Sequence, residues 1–314
     1  MKISLNQLKL AVLGSAFGLM LTAPAKAQTD VDGIMMNKNN LCTGFQYGIS
    51  DWDHYWEGKL KRTNENLGHI TTQSVTWMGN YGISNKLNVL FSLPYVWTKA
   101  SAGTLHGVNG LQDLSLMLKY KMIESKIGKG KFKLIAVGGY SMPVSDYVAD
   151  FQPLAIGLGA RTLTGRLLAD YEYKHMFITG TAAYTYRSNI EIDRDYYYTD
   201  KPQYTNKVDM PDAMNFQVRL GYRGGMFGVE GILNNMTTLG GFDITRNNMP
   251  FPSNEMNATS AGLAFKCNPR AFPGMSLQLG GSYVLAGRNF GQALAANGGI
   301  MYVFDFNKKP KATN

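Results

Sequence analysis

The sequence predicts an all-β chain, a transmembrane antiparallel up-and-down β-barrel of about 12 strands. Three observations carry this. Leu87, Val89, Phe91, Leu93, Tyr95 and Trp97 fall on one parity, and Asn88, Ser92, Pro94 and Thr98 dominate the other. Leu114, Leu116, Leu118, Tyr120 and Met122 likewise oppose Asp113, Ser115, Lys119 and Lys121. A repeat of two is the signature of a strand with two unlike faces. The third observation is an export signal, which sends such strands towards a membrane. There a closed sheet can set apolar residues in lipid and charged ones in its lumen.

Residues 1–27 read as a signal peptide. Lys2 and Lys9 form a basic start, Leu10 to Leu21 an apolar run, and Ala25-Lys26-Ala27 a small-x-small cleavage site. The run of about 12 residues is too short for a spanning helix, which needs about 20. Every later apolar stretch is interrupted by Lys, Arg, Asp or Glu, which excludes an all-helical membrane protein. A slightly negative mean hydropathy is compatible with a barrel, because alternate strand residues face water.

Residues 28–52 are polar and Asn-rich, then carry Phe45, Tyr47 and Trp52. They read as a periplasmic N-terminal segment or plug. The barrel is expected over 53–306 and a polar tail over 307–314. Its strands are expected at 54–62, 69–81, 87–99, 112–123, 131–143, 157–173, 177–188, 215–223, 226–235, 257–267, 275–285 and 293–306. Gly224-Gly225 reads as a two-residue hairpin turn. Short connections, beginning with Gly82–Lys86, alternate with longer ones, and the first turn, 63–68, falls in register with the long set, as in barrels with short periplasmic turns and long outer loops. An even strand count then places both termini in the periplasm of a bacterium with two membranes.

Parity assigns Val75, Trp77, Tyr81, Phe132, Leu134 and Tyr140 to lipid, with Phe216, Val218, Leu220 and Tyr222 further on. The opposite face supplies the lumen candidates: Glu57, Lys59, Asp113, Lys119, Lys121, Lys133, Arg166, Asp170, Glu172, Arg187, Arg219, Arg223, Glu230, Lys266 and Asp305. Both signs occur, so they suit either an ion-selective constriction or salt bridges that fill the lumen.

The net charge of +9 falls to +6 once Lys2, Lys9 and Lys26 leave with the signal peptide, and no dense basic stripe remains. Nucleic acid is therefore excluded as a partner. The expected partners are outer-membrane lipid, the barrel-assembly machinery and a small-molecule solute. Cys42 and Cys267 have no metal-type spacing. They are expected at one periplasmic rim, where an oxidising export route allows a single bridge.

Gly110-Leu111-Gln112-Asp113-Leu114, continuing to Lys119-Tyr120, resembles the Gly-x-x-Asp-Leu…Lys-Tyr strand of outer-membrane barrels grouped as the "MetA-pathway of phenol degradation" family. Asn80-Tyr81-Gly82-Ile83-Ser84-Asn85-Lys86-Leu87 is similar to that family's preceding turn, followed by Leu93-Pro94-Tyr95. The resemblance spans residues 77–123 and is one of pattern elsewhere. It implies a transporter-like barrel for aromatic or other apolar small molecules.

Two aromatic patches fall in long loops: Tyr196, Tyr197 and Tyr198 with Tyr204, and Phe242 with Phe251. They suit capture of an apolar ligand at the barrel mouth, or packing of loop on loop. His54, His69, His106 and His175 are scattered, and no Gly-x-Ser-x-Gly turn or metal-type cluster accompanies them. Neither catalysis nor a cofactor is expected. The leading reading is a channel or transporter for small hydrophobic or aromatic molecules. A structural or adhesion barrel is the alternative, and a lipid-acting barrel enzyme a more remote one.

Overall fold

The computed structural model describes residues 29–245 and 248–307. The signal-peptide reading of 1–27 and the tail from 308 onward lie outside them. Twelve long strands follow one another: β1 Asn40–Trp52, β2 Ile70–Gly82, β3 Leu87–Ala100, β4 Asp113–Ile127, β5 Gly130–Pro143 and β6 Thr162–Tyr173, then β7 Met176–Arg187, β8 Ala213–Arg223, β9 Phe227–Thr238, β10 Asn257–Cys267, β11 Met275–Arg288 and β12 Leu294–Asp305. Each pairs antiparallel with its neighbours in sequence. The ring closes where β1 pairs with both β2 (Phe45↔Trp77) and β12 (Phe45↔Ile300). A short strand, Asn109–Leu111, extends the β3 pairing above β4. Closure leaves no unpaired edge, as a sheet in hydrocarbon requires.

The exterior follows the alternation. Phe45, Trp77, Leu118, Leu167, Val218, Leu233, Leu263 and Ile300 are exposed, while their chain neighbours Lys119, Leu168 and Arg219 are buried inside. A bulge between Lys121 and Ile123 breaks the parity of β4, so Met122 and Ile123 both face outward.

Three expectations need correction at the start of the barrel. Residues 40–52 are a barrel strand and not part of an N-terminal segment, which is confined to 29–39. Phe45, Tyr47 and Ile49 alternate with Gly44, Gln46 and Gly48, a valid strand pattern whose inner face is merely small and uncharged. Residues 54–62 are not a barrel strand. They form a hairpin, His54–Glu57 against Leu60–Thr63, within the connection from β1 to β2. Gly58 turns it with φ +56°, a left-handed conformation that a side chain resists. Glu57 and Lys59 therefore sit on this hairpin and not on the barrel's inner wall. The Gly224-Gly225 turn is one residue longer than expected, since β8 ends at Arg223 and β9 begins at Phe227.

Cys42 and Cys267 do lie at the end that carries the termini, but no disulfide joins them. Cys42 is buried on β1 and Cys267 ends β10, with β11 and β12 between. Three strand spacings of about 4.8 Å each exceed the ~7 Å that a bridge can span.

Short turns connect the strands at the end bearing the termini, and longer loops at the other, except that the last of these, between Arg288 and Leu294, is itself short. The loops pack on one another. Ile190, Ile192, Tyr197, Val208, Met210 and Phe251 form one apolar cluster, and Leu67, Ile70 and Leu154 another. Trp56 anchors the hairpin against Ala258 and Val284 of the barrel wall.

Candidate functional site: the barrel lumen

The lumen is divided lengthwise. Residues 29–39 enter from the terminus end and lie against the wall formed by β4 to β6, with Met36 turned towards β1 and β12. Lys119 on β4 is wholly buried. Its ammonium donates to the carbonyls of Thr29 (2.7 Å), Asp32 (2.7 Å) and Ile34 (2.9 Å) and to Asp32 Oδ1 (3.1 Å). Its placement follows from the strand period, because Leu118 and Tyr120 on either side face outward. Asp32 also accepts from the backbone N–H groups of Thr29 and Ile34. Burial opposes ionisation of Asp32. The Lys119 ammonium and those N–H donors outweigh it and hold the carboxyl at about 2.

Further contacts fix the same segment. Arg166 pairs with Asp30, and Lys133 Nζ donates to the Gly33 carbonyl at 3.1 Å. Met35 packs on Ile135, Val137 and Leu168, and Met36 on Cys42 and Met301. At Gly33 the chain passes so close to β6 that a Cβ would fall 2.0 Å from the Asp170 carboxyl carbon. Only glycine fits there.

Asp170, also wholly buried, organises the wall beneath. It accepts from Thr179 Oγ1 (2.6 Å) and Arg223 Nη1 (2.8 Å), and Lys133 lies 3.5 Å away. The Arg223 guanidinium stacks 3.5 Å over the Phe177 ring and is 3.7 Å from Glu172. The structure thus gathers six of the sequence candidates around the N-terminal segment: Lys119, Lys133, Arg166, Asp170, Glu172 and Arg223.

Across the lumen, between this segment and the wall of β8 to β12, lies a cavity of about 430 Å3. Arg219, forked onto Glu230, lines it together with Lys266, and so do Gln46, Gln217, Asn234, Gln278 and Asn297. The sequence reading missed these amides because it followed charge. Their signal was visible as inward parity, since Gln46, Gln217, Gln278 and Asn297 each alternate with outward apolar or small residues and Asn234 follows the outward Leu233.

The remaining candidates lie at the ends. Asp113 accepts from Tyr147 Oη (2.6 Å) beside the loops, and Arg187 lies against Pro211 and Asp212. Lys121 pairs with Glu124 near the opposite rim, where Asp305 caps the Asn307 N–H. The loop aromatics divide. Tyr197, Phe242 and Phe251 pack into the loop cluster, with Tyr197 stacked 5.1 Å from Phe251, whereas Tyr196, Tyr198 and Tyr204 are exposed.

Of the three histidines at the loop end, His54, His69 and His106, two meet carboxylates. His69 Nδ1 lies 2.8 Å from Asp51, and His54 Nδ1 2.6 Å from Asp53. The hydrogen bond to Asp51 raises the His69 pKa, with the Asp51 charge adding to it. Its contribution is complete below the ordinary histidine value of 6.5 and is lost as pH rises through the raised pKa. An NMR titration of His69 is expected to show a midpoint above 6.5; one at or below it would contradict this pairing in solution. Among the described residues no cluster of His, Cys, Asp and Glu could hold a metal ion.

No family model matches this chain, and neither does any curated protein. Solved structures do match. An outer membrane channel from Pseudomonas putida F1 superposes with a TM-score of 0.70, at 13% identity, over 89% of this chain and 100% of that one. The NanC porin gives 0.46 at 7% identity, over 83% and 98% of the two chains. The CymD monoaromatic hydrocarbon channel gives 0.39 at 13% identity, over 86% and 89%. The first of these likenesses shows a shared barrel fold.

Proposed function

We propose that this chain is an integral outer-membrane channel or transporter for small molecules, with both termini periplasmic and the long loops outside the cell. The observation that carries the reading is the cavity of about 430 Å3, lined by amides and ion pairs among apolar groups, inside a closed barrel whose outer face is apolar. The apolar exterior supports contact with outer-membrane lipid, and a barrel of this kind calls for the barrel-assembly machinery as a folding partner. The N-terminal segment acts as a plug that narrows the path to one side of the lumen.

The cargo includes hydrophobic or aromatic molecules. Tyr196, Tyr198 and Tyr204, exposed on the loops, support first capture there, in keeping with the sequence resemblance over residues 77–123. Replacing these three with Ser while leaving Tyr197 in its cluster is expected to slow uptake of an aromatic solute about two- to tenfold. That corresponds to losing one or two aromatic contacts. The heat-dependent gel mobility of the folded barrel should stay unchanged. If cells lacking the protein take up apolar and polar solutes as fast as cells that have it, transport is wrong and a structural or adhesion role replaces it.

A further inference from the structure

We propose that the lumen cavity is a binding site for a small, neutral, hydroxyl-bearing solute. The inference goes beyond the apolar cargo of the channel reading by adding a polar solute class, and rests on that reading for its physiological sense, although the site itself is defined by its walls. Charge is present at these walls but already spent. Arg219 is forked onto Glu230, with Nε 3.2 Å from Oε2. Asp32 is held by Lys119, and Arg223 by Asp170 and Glu172. Lys266 also interacts within the protein. An ionic solute would have to enter without a counter-charge awaiting it, and an unpaired charge in a narrow protein interior is strongly disfavoured.

The walls offer hydrogen bonding in both directions. Gln46, Gln217, Asn234, Gln278 and Asn297 line the cavity. An amide both donates and accepts, as a hydroxyl does, whereas a carboxylate only accepts and an ammonium only donates. Some of this capacity is used internally, as where Gln46 Nε2 donates to Asn297 Oδ1 at 2.9 Å. Gln217 Oε1, by contrast, is a buried acceptor with no partner. Its cross-strand neighbour is Thr181 on β7, only 6% exposed, whose hydroxyl is likewise unpartnered. Most buried polar atoms in proteins are satisfied, so the unpartnered acceptor of Gln217, a residue of the cavity lining as Thr181 is not, points to a hydroxyl that completes it once the amide turns towards the cavity. The volume lies within the ~300–1,000 Å3 typical of small-molecule sites.

Glucose, gluconate and glucosamine test this, being close in size and differing in charge. Calorimetric titration of the folded barrel in detergent is expected to show saturable glucose binding, with both ions at least tenfold weaker. Gln217→Met keeps the volume and removes the acceptor. It should weaken glucose binding roughly three- to tenfold, the worth of one neutral hydrogen bond. Gln278→Met serves in its place if the first variant does not fold. Absent glucose binding, equal or tighter binding of either ion, or no effect of the substitution would each overturn the inference. Liposome swelling separates it from the channel reading. Glucose binding without flux of any solute would remove the channel and leave the site. Flux without discrimination in the titration would remove the site and leave the channel.

Discussion

Lys119→Met is expected to free the N-terminal segment and raise single-channel conductance. The Lys119 ammonium makes four contacts with residues 29–34, at 2.7 to 3.1 Å, from a fully buried position. Removing it leaves the Asp32 carboxylate buried beside three carbonyl oxygens, with Arg219, already paired with Glu230, as the cation that still acts on it. Breaking one side of such a buried pair costs about 3–5 kcal/mol. The strand ladders of the barrel do not depend on the segment, so the cost falls on its docking and not on the fold. Conductance in a planar bilayer should rise, and a protease added from the terminus end should cut within residues 29–39. Adding Asp32→Asn should restore part of the docking, because two neutral groups cost less than one orphaned charge. Unchanged conductance with the segment still protected would show that Arg166, Lys133 and the methionine contacts suffice to hold it. The pH dependence has a definite sign. Asp32 titrates near 2 when docked and near 3.8 when free. Its contribution is therefore complete above about 4 and is lost as pH falls from there through 2. Conductance steps tied to this carboxyl should appear only in that acid window.

Most of the barrel was legible because lipid enforces a strict rule on one face. Wherever both faces carried strong residues, as in Leu87–Ala100 and Asp113–Ile127, the period of two located the strand and its orientation. β1 was lost because its inner face is Gly44, Gln46, Gly48 and Ser50, with no charge to contrast against Phe45 and Tyr47. The 54–62 segment took its place because Trp56 and Lys59 imitate the contrast. Yet Glu57-Gly58-Lys59 is a turn, and a turn in mid-strand argued against a spanning strand. The two errors offset each other in the strand count. At the site, charge was legible as inward parity, but partnership was not. Nothing in the local sequence around Lys119 says that it meets Asp32, 87 residues earlier. Likewise the loop aromatics look alike in sequence, and only tertiary packing separates Tyr197 and Phe251 from the exposed Tyr196 and Tyr204.

Leu263→Arg and Ser282→Arg, at positions close to one another on β10 and β11, are expected to fail in opposite ways. Leu263 is 70% exposed in the absence of a bilayer and is flanked across the ladders by Gly231 and Gly281, so its side chain projects from the outer wall without cover. An Arg near the hydrocarbon midplane costs about 2–4 kcal/mol. Ser282 pairs with Gly262 and lines the lumen cavity, where an added guanidinium meets polar side chains and water. Its effect on folding should stay well below that of the first change, but its bulk and charge should cut solute flux sharply. Denaturant titrations in lipid vesicles give the first comparison, and swelling rates of vesicles carrying the folded variants give the second. Leu263→Arg should lower the folding midpoint while the fraction that folds conducts normally. Ser282→Arg should fold nearly as well as the parent and conduct poorly. Equal folding midpoints would show that Leu263 does not meet the hydrocarbon, and equal flux would show that solutes do not pass through the cavity beside Ser282. The contrast arises from a single step of parity in the chain, since the ladder that points Leu263 outward is the one that points Ser282 inward.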